Sequence, residues 1–307
     1  MAVSSSRDYS VTGTNIINSA YEYIGMKDAN ESMSPELTAI GLSTLEKMIK
    51  MWQAKGVGLW TLDEVALFMS DGGYTYDIYT SGTHCTNTWV KTELSAASAA
   101  SDTTLNVDSD DGMTDGDYIG VELDDGTLEW TTINGSPASD VVTITTGLTS
   151  AASVDNHVYT YTTKLTKPLE ITEARLHRAD GSDIPLEIIS RNDYMAFSNK
   201  TEKGTPTVIY PESQRDRMTV KVWQACNDVQ EYIKMTAKMP IMDMDSTSNN
   251  PEFPAEWIEP LETNLAIRLA AKNNKTPNPA LVAVALESFK TVSDFDKEYA
   301  STYFRMG

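Results

Sequence analysis

Between Cys85 and Thr163 the chain has one basic residue, Lys91, against thirteen carboxylates, and no 3.6-residue apolar period runs through the stretch. This segment constrains the fold most. Rich in Ser, Thr, Gly and Ala, it has no apolar stripe with which to pack as an amphipathic helix, and its short alternating runs predict strands. Residues 104–107 alternate. Residues 118–123 run into Asp124-Asp125-Gly126, where Asp-Gly favours a two-residue turn, so 127–133 should return antiparallel. Runs at 141–145 and 157–163 make about five strands, enough for a small barrel or sandwich. The expectation is an inserted acidic all-β domain over residues 80–165.

Thirteen acids against one base give this stretch −12 of the chain's net −20, so the remaining residues sum to −8. Such a balance repels phosphate and argues against a sequence-independent nucleic-acid clamp, which needs Lys and Arg to displace counterions. Two cysteines, Cys85 and Cys226, do not make a disulfide framework or a cysteine-rich zinc site. The first residues have no apolar leader core, and the longest apolar run, 280–286, is too short to span a bilayer, so a soluble, unprocessed protein without a membrane partner is expected.

The flanks are mixed α and β. Ile16, Ile17, Ala20 and Ile24 recur at helical spacing before Gly25. Ser34-Pro35 supplies an N-cap and a proline at the first helical position, and Leu37, Ile40, Leu45, Met48, Ile49 and Trp52 follow as an apolar stripe stopped by Gly56. Runs at 65–69 and 74–79 around Asp71-Gly72-Gly73 predict a hairpin, as do 169–178 and 184–189 around Ala179-Asp180-Gly181-Ser182. Strands are expected at 207–210, 218–223 and 229–239, then a linker over 239–253. Pro254 opens a helix carrying Trp257, Leu261, Leu265 and Leu269. Asn278-Pro279 caps a last helix with Leu281, Ala285, Phe289, Val292 and Tyr299 on one face. By their places in these stripes, Trp52, Trp60 and Trp257 are expected to share one core. The fold class is thus α+β, a helical scaffold from 1–79 and 166–307 with a mixed antiparallel part, interrupted by the 80–165 module.

No catalytic constellation stands out. His84, His157 and His177 have no partner at helical spacing, and neither a His-Glu-x-x-His motif nor a nucleophile elbow occurs. They read as ordinary surface or packed histidines. Gly56-Val57-Gly58 runs into Leu59-Trp60 and lacks the glycine and lysine of a phosphate loop. From Asp108 to Asp117 the acids invite a calcium test, but counting an EF-hand loop from Asp108 puts Met113 where glycine is needed and Ile119 where glutamate is needed. A looser oxygen-rich cation site and plain turn residues both fit that run, and turns fit better. No enzymatic activity, cofactor or metal is expected.

Four pieces, in order, carry a resemblance. They are Leu45-x2-Met48-x3-Trp52-x3-Gly56-x2-Leu59-Trp60 followed by the 64–79 strands; Ile189-Ser190-Arg191-Asn192-Asp193-Tyr194 with Lys203-Gly204-Thr205-Pro206; the 223–239 segment leading to Met242-Asp243-Met244-Asp245; and Pro254-Ala255-Glu256-Trp257 opening a helix with Leu265-Ala266-x2-Leu269-Ala270. Together they resemble the head-to-tail adaptor (tail accessory, packaged-DNA-stabilisation) family of short-tailed bacteriophages, over about residues 10–79 and 166–275. The acidic module departs from that pattern and reads as an insertion at a loop tip.

The resemblance implies a structural virion protein at the head–tail junction, assembled in the host cytoplasm. It would form a homo-oligomeric ring, a dodecamer, that binds the portal protein, extends and seals the DNA channel, receives a tail tube or nozzle protein, and acts in DNA ejection. Such a ring encloses DNA without specific binding. Portal docking would fall on Tyr299, Tyr303, Phe304 and Arg305, large aromatics and an arginine near the terminus. Truncation after Ser293 is expected to spare the fold. The alternative is a receptor- or glycan-binding tail protein using the inserted β domain; a cell-wall hydrolase acting through carboxylates is a third. At −20 per subunit, mutual repulsion opposes free assembly at low salt, so the ring is expected to form on a portal template. Sedimentation of the purified chain at low ionic strength should show no dodecamer, and a spontaneous one would overturn the template idea.

Overall fold

The computed structural model describes residues 9–28 and 31–296. Helices α1 (Gly13–Tyr23), α2 (Pro35–Ala54), α3 (Arg191–Ala196), α4 (Ile258–Lys272) and α5 (Pro279–Phe295) combine with fifteen strands among those residues, an α+β fold. The chain divides into two units: Met1–Thr61 with Ile241–Gly307, and Leu62–Pro240. The 80–165 segment lies inside the second.

The first unit is helical and starts where the caps dictate. Ser34 Oγ accepts from the Leu37 amide, with Pro35 opening α2, and Asn278 accepts from the Ala280 amide before α5. Gly25 and Gly56 take positive φ just past α1 and α2, the left-handed position that ends a helix. Ile16, Ile17 and Ala20 of α1, Leu45, Met48, Ile49 and Trp52 of α2, and Leu261, Leu265 and Leu269 of α4 bury one shared core. Trp52 and Trp60 both reach Trp257, at ring-centroid distances of 5.6 and 5.7 Å. The stretch read as a linker has no helix or strand over 241–254, yet it is tied down. Asn249 and Thr247 carbonyls accept from the Gly13 and Thr14 amides, Lys50 Nζ donates to the Ile241 carbonyl, and Ile241 and Met244 are buried. Irregular backbone here satisfies the unpaired amides at the start of α1.

The second unit stacks two sheets on one core. The larger has the order β11 (Asp183–Pro185), β10 (Glu170–His177), β15 (Tyr232–Lys238), β1 (Leu62–Phe68), β3 (Cys85–Thr86); the smaller has β12 (Glu187–Ile188), β13 (Val208–Ser213), β14 (Met218–Trp223), β2 (Thr75–Ile78). The hairpin expected around Ala179–Ser182 forms as β10 with β11. The one expected around Asp71-Gly72-Gly73 does not. β1 pairs with β15 and β3, whereas β2 pairs with β14 in the other sheet. Val65 and Leu67 face Tyr76 and Ile78 through the shared core, so both alternating runs are buried by facing one another rather than by pairing.

The acidic segment brings its own core. A sheet ordered β4 (Val90–Glu93), β9 (His157–Tyr161), β6 (Tyr118–Glu122), β7 (Leu128–Thr132) and a ribbon of β5 (Thr104–Asn106) with β8 (Val141–Thr143) enclose Leu94, Leu105, Val107, Ile119, Val121, Ile133, Val142, Ile144 and Val158. The five expected strands are present and β4 adds a sixth. The turn at 124–126 is a three-residue loop: Gly126, at φ 81°, donates to the Leu123 carbonyl, and Leu123 donates to Thr127. Only the glycine takes positive φ, so Asp125 avoids the strain that a two-residue turn would impose.

A tight helix crossing sets the first unit. A Cβ on Gly41 would lie 2.5 Å from Ile17 Cγ2 and 3.3 Å from its Cγ1. Replacing a mid-helix glycine by alanine gains about 1 kcal/mol in propensity, whereas overpacking costs about 1–3 kcal/mol. The branched Ile17 cannot swing away freely, so the clash wins. Gly41→Ala should lower the thermal midpoint of unfolding; a raised midpoint would show that the helices have room to part.

Candidate functional site

The acidic segment shows first what its carboxylates do. Asp102 accepts from the Ala99 amide, Asp115 from Gly135, Asp117 from Thr114, Asp124 from Ser153, Asp125 from Thr127 and Glu129 from Thr149. Asp110 and Asp140 each accept from the other's amide. The amide of Ser153 at Asp124 is the main cause that holds this carboxyl below the usual carboxylate range. Short side-chain oxygens thus close the turns between short strands. The run from Asp108 to Asp117, weighed above as a cation site, is spread over these separate turns. Among the described residues no group of three His, Cys, Asp or Glu is placed to hold a metal ion.

An aromatic seam runs between this segment and the larger sheet. Phe68 of β1 meets Trp130, Tyr159, Tyr161 and Tyr232 at centroid distances of 4.9–6.2 Å. At its edge lies a groove of about 320 Å³ lined by His84, Tyr118, Trp130, Thr131, Thr132, Thr145, Thr146 and Lys164. The His84 ring stacks on Trp130 at 3.9 Å and 8°. Gly120, paired with Trp130 across β6 and β7, leaves space for the indole; a Cβ there would come within 2.8 Å of it.

His84 Nδ1 lies 2.5 Å from the Tyr161 hydroxyl, and Lys164 Nζ donates to the Gly82 carbonyl at 2.6 Å. Burial, and after it the Lys164 charge, push His84 down to about 3, while burial pushes the Tyr161 hydroxyl up. At neutral pH the imidazole is uncharged and the phenol keeps its proton, so the pair makes a neutral hydrogen bond. No carboxylate or thiol lines the groove, so it offers stacking area and hydroxyls but no activated nucleophile.

The other two histidines also lie beside polar groups. His177 Nδ1 lies 2.6 Å from Asp183, and His157 Nε2 lies 3.3 Å from Glu93. Burial, followed by the charge of Lys91, lowers His157 despite Glu122 and Glu93, so at pH 7 the Glu93 carboxylate lies beside a neutral ring and the contact is not an ion pair. Asp183 faces His177 across the local β10–β11 hairpin, whereas Glu93 and Tyr161 reach His157 and His84 from 64 and 77 positions away. No local motif signals the two distant partners.

The helical unit exposes a second surface. Of the seventeen residues of α5 only Leu281 and Ala285 are fully buried, with Phe289 and Val292 partly buried against the core. Val284, Leu286 and Phe295 are exposed, Phe295 at 81%. A groove of about 370 Å³ between α4 and α5 is lined by Glu256, Glu259, Pro260, Val284, Glu287, Ser288, Thr291 and Val292. Nearby Glu262 is held above its ordinary range, mainly by burial and also by the like charges of Glu259 and Glu22, against a hydrogen bond from Ser19. Asp296 turns back from the end of α5 and accepts from the Gly58 and Leu59 amides at 3.1 and 3.3 Å. A truncation after Ser293 would remove that contact and so is not neutral for the fold. Tyr299, Tyr303, Phe304 and Arg305, the expected portal-docking residues, lie outside the described residues.

No protein-family model matches this sequence, and no curated protein matches it.

Both lowered histidines give a signed pH prediction. A histidine whose folded pKa lies below its unfolded value of about 6.5 contributes its full stability above that value. This stability is lost as pH falls from there toward the folded pKa, about 3 for His84. Urea unfolding at pH 7 and pH 4 should show a smaller loss for His84→Phe than for the wild type. Equal losses would mean that His84 is solvated.

Proposed function

We propose that the protein is a non-enzymatic, structural head-to-tail adaptor of a short-tailed bacteriophage. On this reading the first unit with the two stacked sheets is the adaptor scaffold, and the acidic segment is an inserted small barrel or sandwich. The sequence resemblance described above names the class. The structural observation that carries the reading is α5, which is apolar on two sides. The core side carries Leu281, Ala285, Phe289 and Val292, one flank leaves Val284 and Phe295 bare, and Leu286, about 200° round from Val284, is bare on the opposite flank. Exposed large apolar side chains on one element mark a surface for protein association. An assembly subunit needs such faces, and an isolated chain does not.

The groove chemistry agrees with this reading. In the two grooves Ser288 Oγ donates to the Ala285 carbonyl, Thr132 pairs with Thr145 and Thr131 accepts from the Thr146 amide, so these hydroxyls bond to groups other than a histidine or carboxylate base. No helix among the described residues is long and apolar enough to cross a membrane. In the adaptor the ring sits in the virion at the head–tail junction, under the portal protein and above the tail tube or nozzle. Its negative charge encloses DNA without gripping it.

A second reading, a glycan-binding tail protein, draws on one observation: Trp130 and Tyr118 beside four threonine hydroxyls. Aromatic faces with hydroxyls around them suit a sugar ring, but Trp130 is already stacked by His84. The adaptor reading is therefore preferred.

The test is capture by a portal ring. Removing residues 297–307 keeps Asp296 on the Gly58 and Leu59 amides and should leave the thermal midpoint unchanged while abolishing pull-down by the portal. Undiminished pull-down would show that the docking residues lie elsewhere.

A further inference from the structure

Helix α4 carries opposite charges on opposite sides. Glu259 and Arg268 are nine residues apart, two and a half turns, which places them about 180° apart around the axis and roughly 13 Å apart along it. On the Glu259 side is the α4–α5 groove, where Glu256, Glu259 and Glu287 flank Pro260 and Val284. Val284, Thr291 and Phe295 fall in one stripe of α5, at i, i+7 and i+11. On the Arg268 side, α2 exposes Ile40, Lys47 and Met51 at the same spacing. Arg268 Nη2 lies 3.8 Å from Met51 Sδ, and Lys272 Nζ donates to Thr44 at 2.7 Å, so both cations flank that stripe. None of Lys47, Arg268 and Lys272 is among the ion pairs of the described residues, nor is any of Glu256, Glu259 and Glu287.

We propose that these are the two halves of one self-contact: the Ile40–Lys47–Met51 stripe of one copy docks in the α4–α5 groove of the next. The inference rests on the reading of the protein as an assembly subunit. The occupant is a second copy because this chain itself carries the complement, three cations around two apolar side chains, against three carboxylates around Pro260 and Val284. Two grooves meeting face to face would bring six carboxylates together, so a two-fold contact at this surface is repulsive. A contact between unlike faces is head-to-tail, and it closes into a ring where the rotation between copies permits. The local pairs decide register and partner, while the long-range −20 repulsion sets when copies approach and is screened by salt.

Cross-linking tests the contact in the full chain. Met51→Cys and Val284→Cys are introduced together, and the protein is oxidised with diamide at 0.5 M salt. A ladder of disulfide-linked multimers is expected on a non-reducing gel. Adding Glu259→Lys with Glu287→Lys should reduce the ladder about tenfold, and further adding Lys47→Glu with Arg268→Glu should restore it. Unchanged melting midpoints show that the variants fold. No ladder, or a ladder indifferent to the charge reversals, overturns the proposal. Portal capture separates the two readings: capture without a ladder leaves the adaptor and removes this contact. A charge-dependent ladder without capture does the reverse.

Discussion

The antiparallel pairing of β1 with β15 is the constraint on which the rest depends. Seven residues align from Leu62↔Lys238 to Phe68↔Tyr232, joining segments about 170 positions apart. Loop closure over that distance costs entropy that grows only slowly with length, and the buried Val65, Leu67, Ile233 and Met235 offset it. Because Leu62 and Lys238 are paired, both connections to the helical residues leave from the same end of the same two strands. Helices from the start and the end of the chain can then share a core, as Trp52 and Trp257 do.

The same two strands also explain the aromatic seam. β1 buries Val65 and Leu67 on one face and Ala66 and Phe68 on the other. A strand covered on both faces needs a second layer, and the tyrosines of β9 supply it through Tyr159 and Tyr161. Burial there accounts for the electrostatics as well. Partial burial of His84 and full burial of Tyr159 and Tyr161 favour their neutral forms over the charged ones. Asp102, Asp115, Asp124 and Asp125 instead sit exposed at turns, where each accepts from a backbone amide.

Much of the fold was legible where the signal was local. Ser34-Pro35 and Asn278-Pro279 start helices because their geometry needs only the next few residues. The strands of the acidic segment follow from alternation and turn chemistry, and Gly126 marked its loop. Asp71-Gly72-Gly73 misled because a turn signal says that the chain reverses, not which strand it will pair with. The 241–254 stretch read as slack since its partners, the α1 amides and Lys50, lie far off in sequence. For the same reason the site was less legible than the fold. The stacking of His84 on Trp130 and the docking of Asp296 at Gly58 and Leu59 have no signature in spacing.

By itself the sequence determined the fold class, the helix starts, the acidic β segment and the charge that disfavours gripping DNA, since each depends on composition or on neighbours within a few residues. Tertiary structure alone decided that Asp115, Asp124 and Glu129 hold amides 20 to 29 positions away, that the two alternating runs around Gly72 face each other across a core, and that α4 separates carboxylates from cations. Those outcomes depend on which distant surfaces meet. Burial and long-range pairing set that, and no local pattern encodes it.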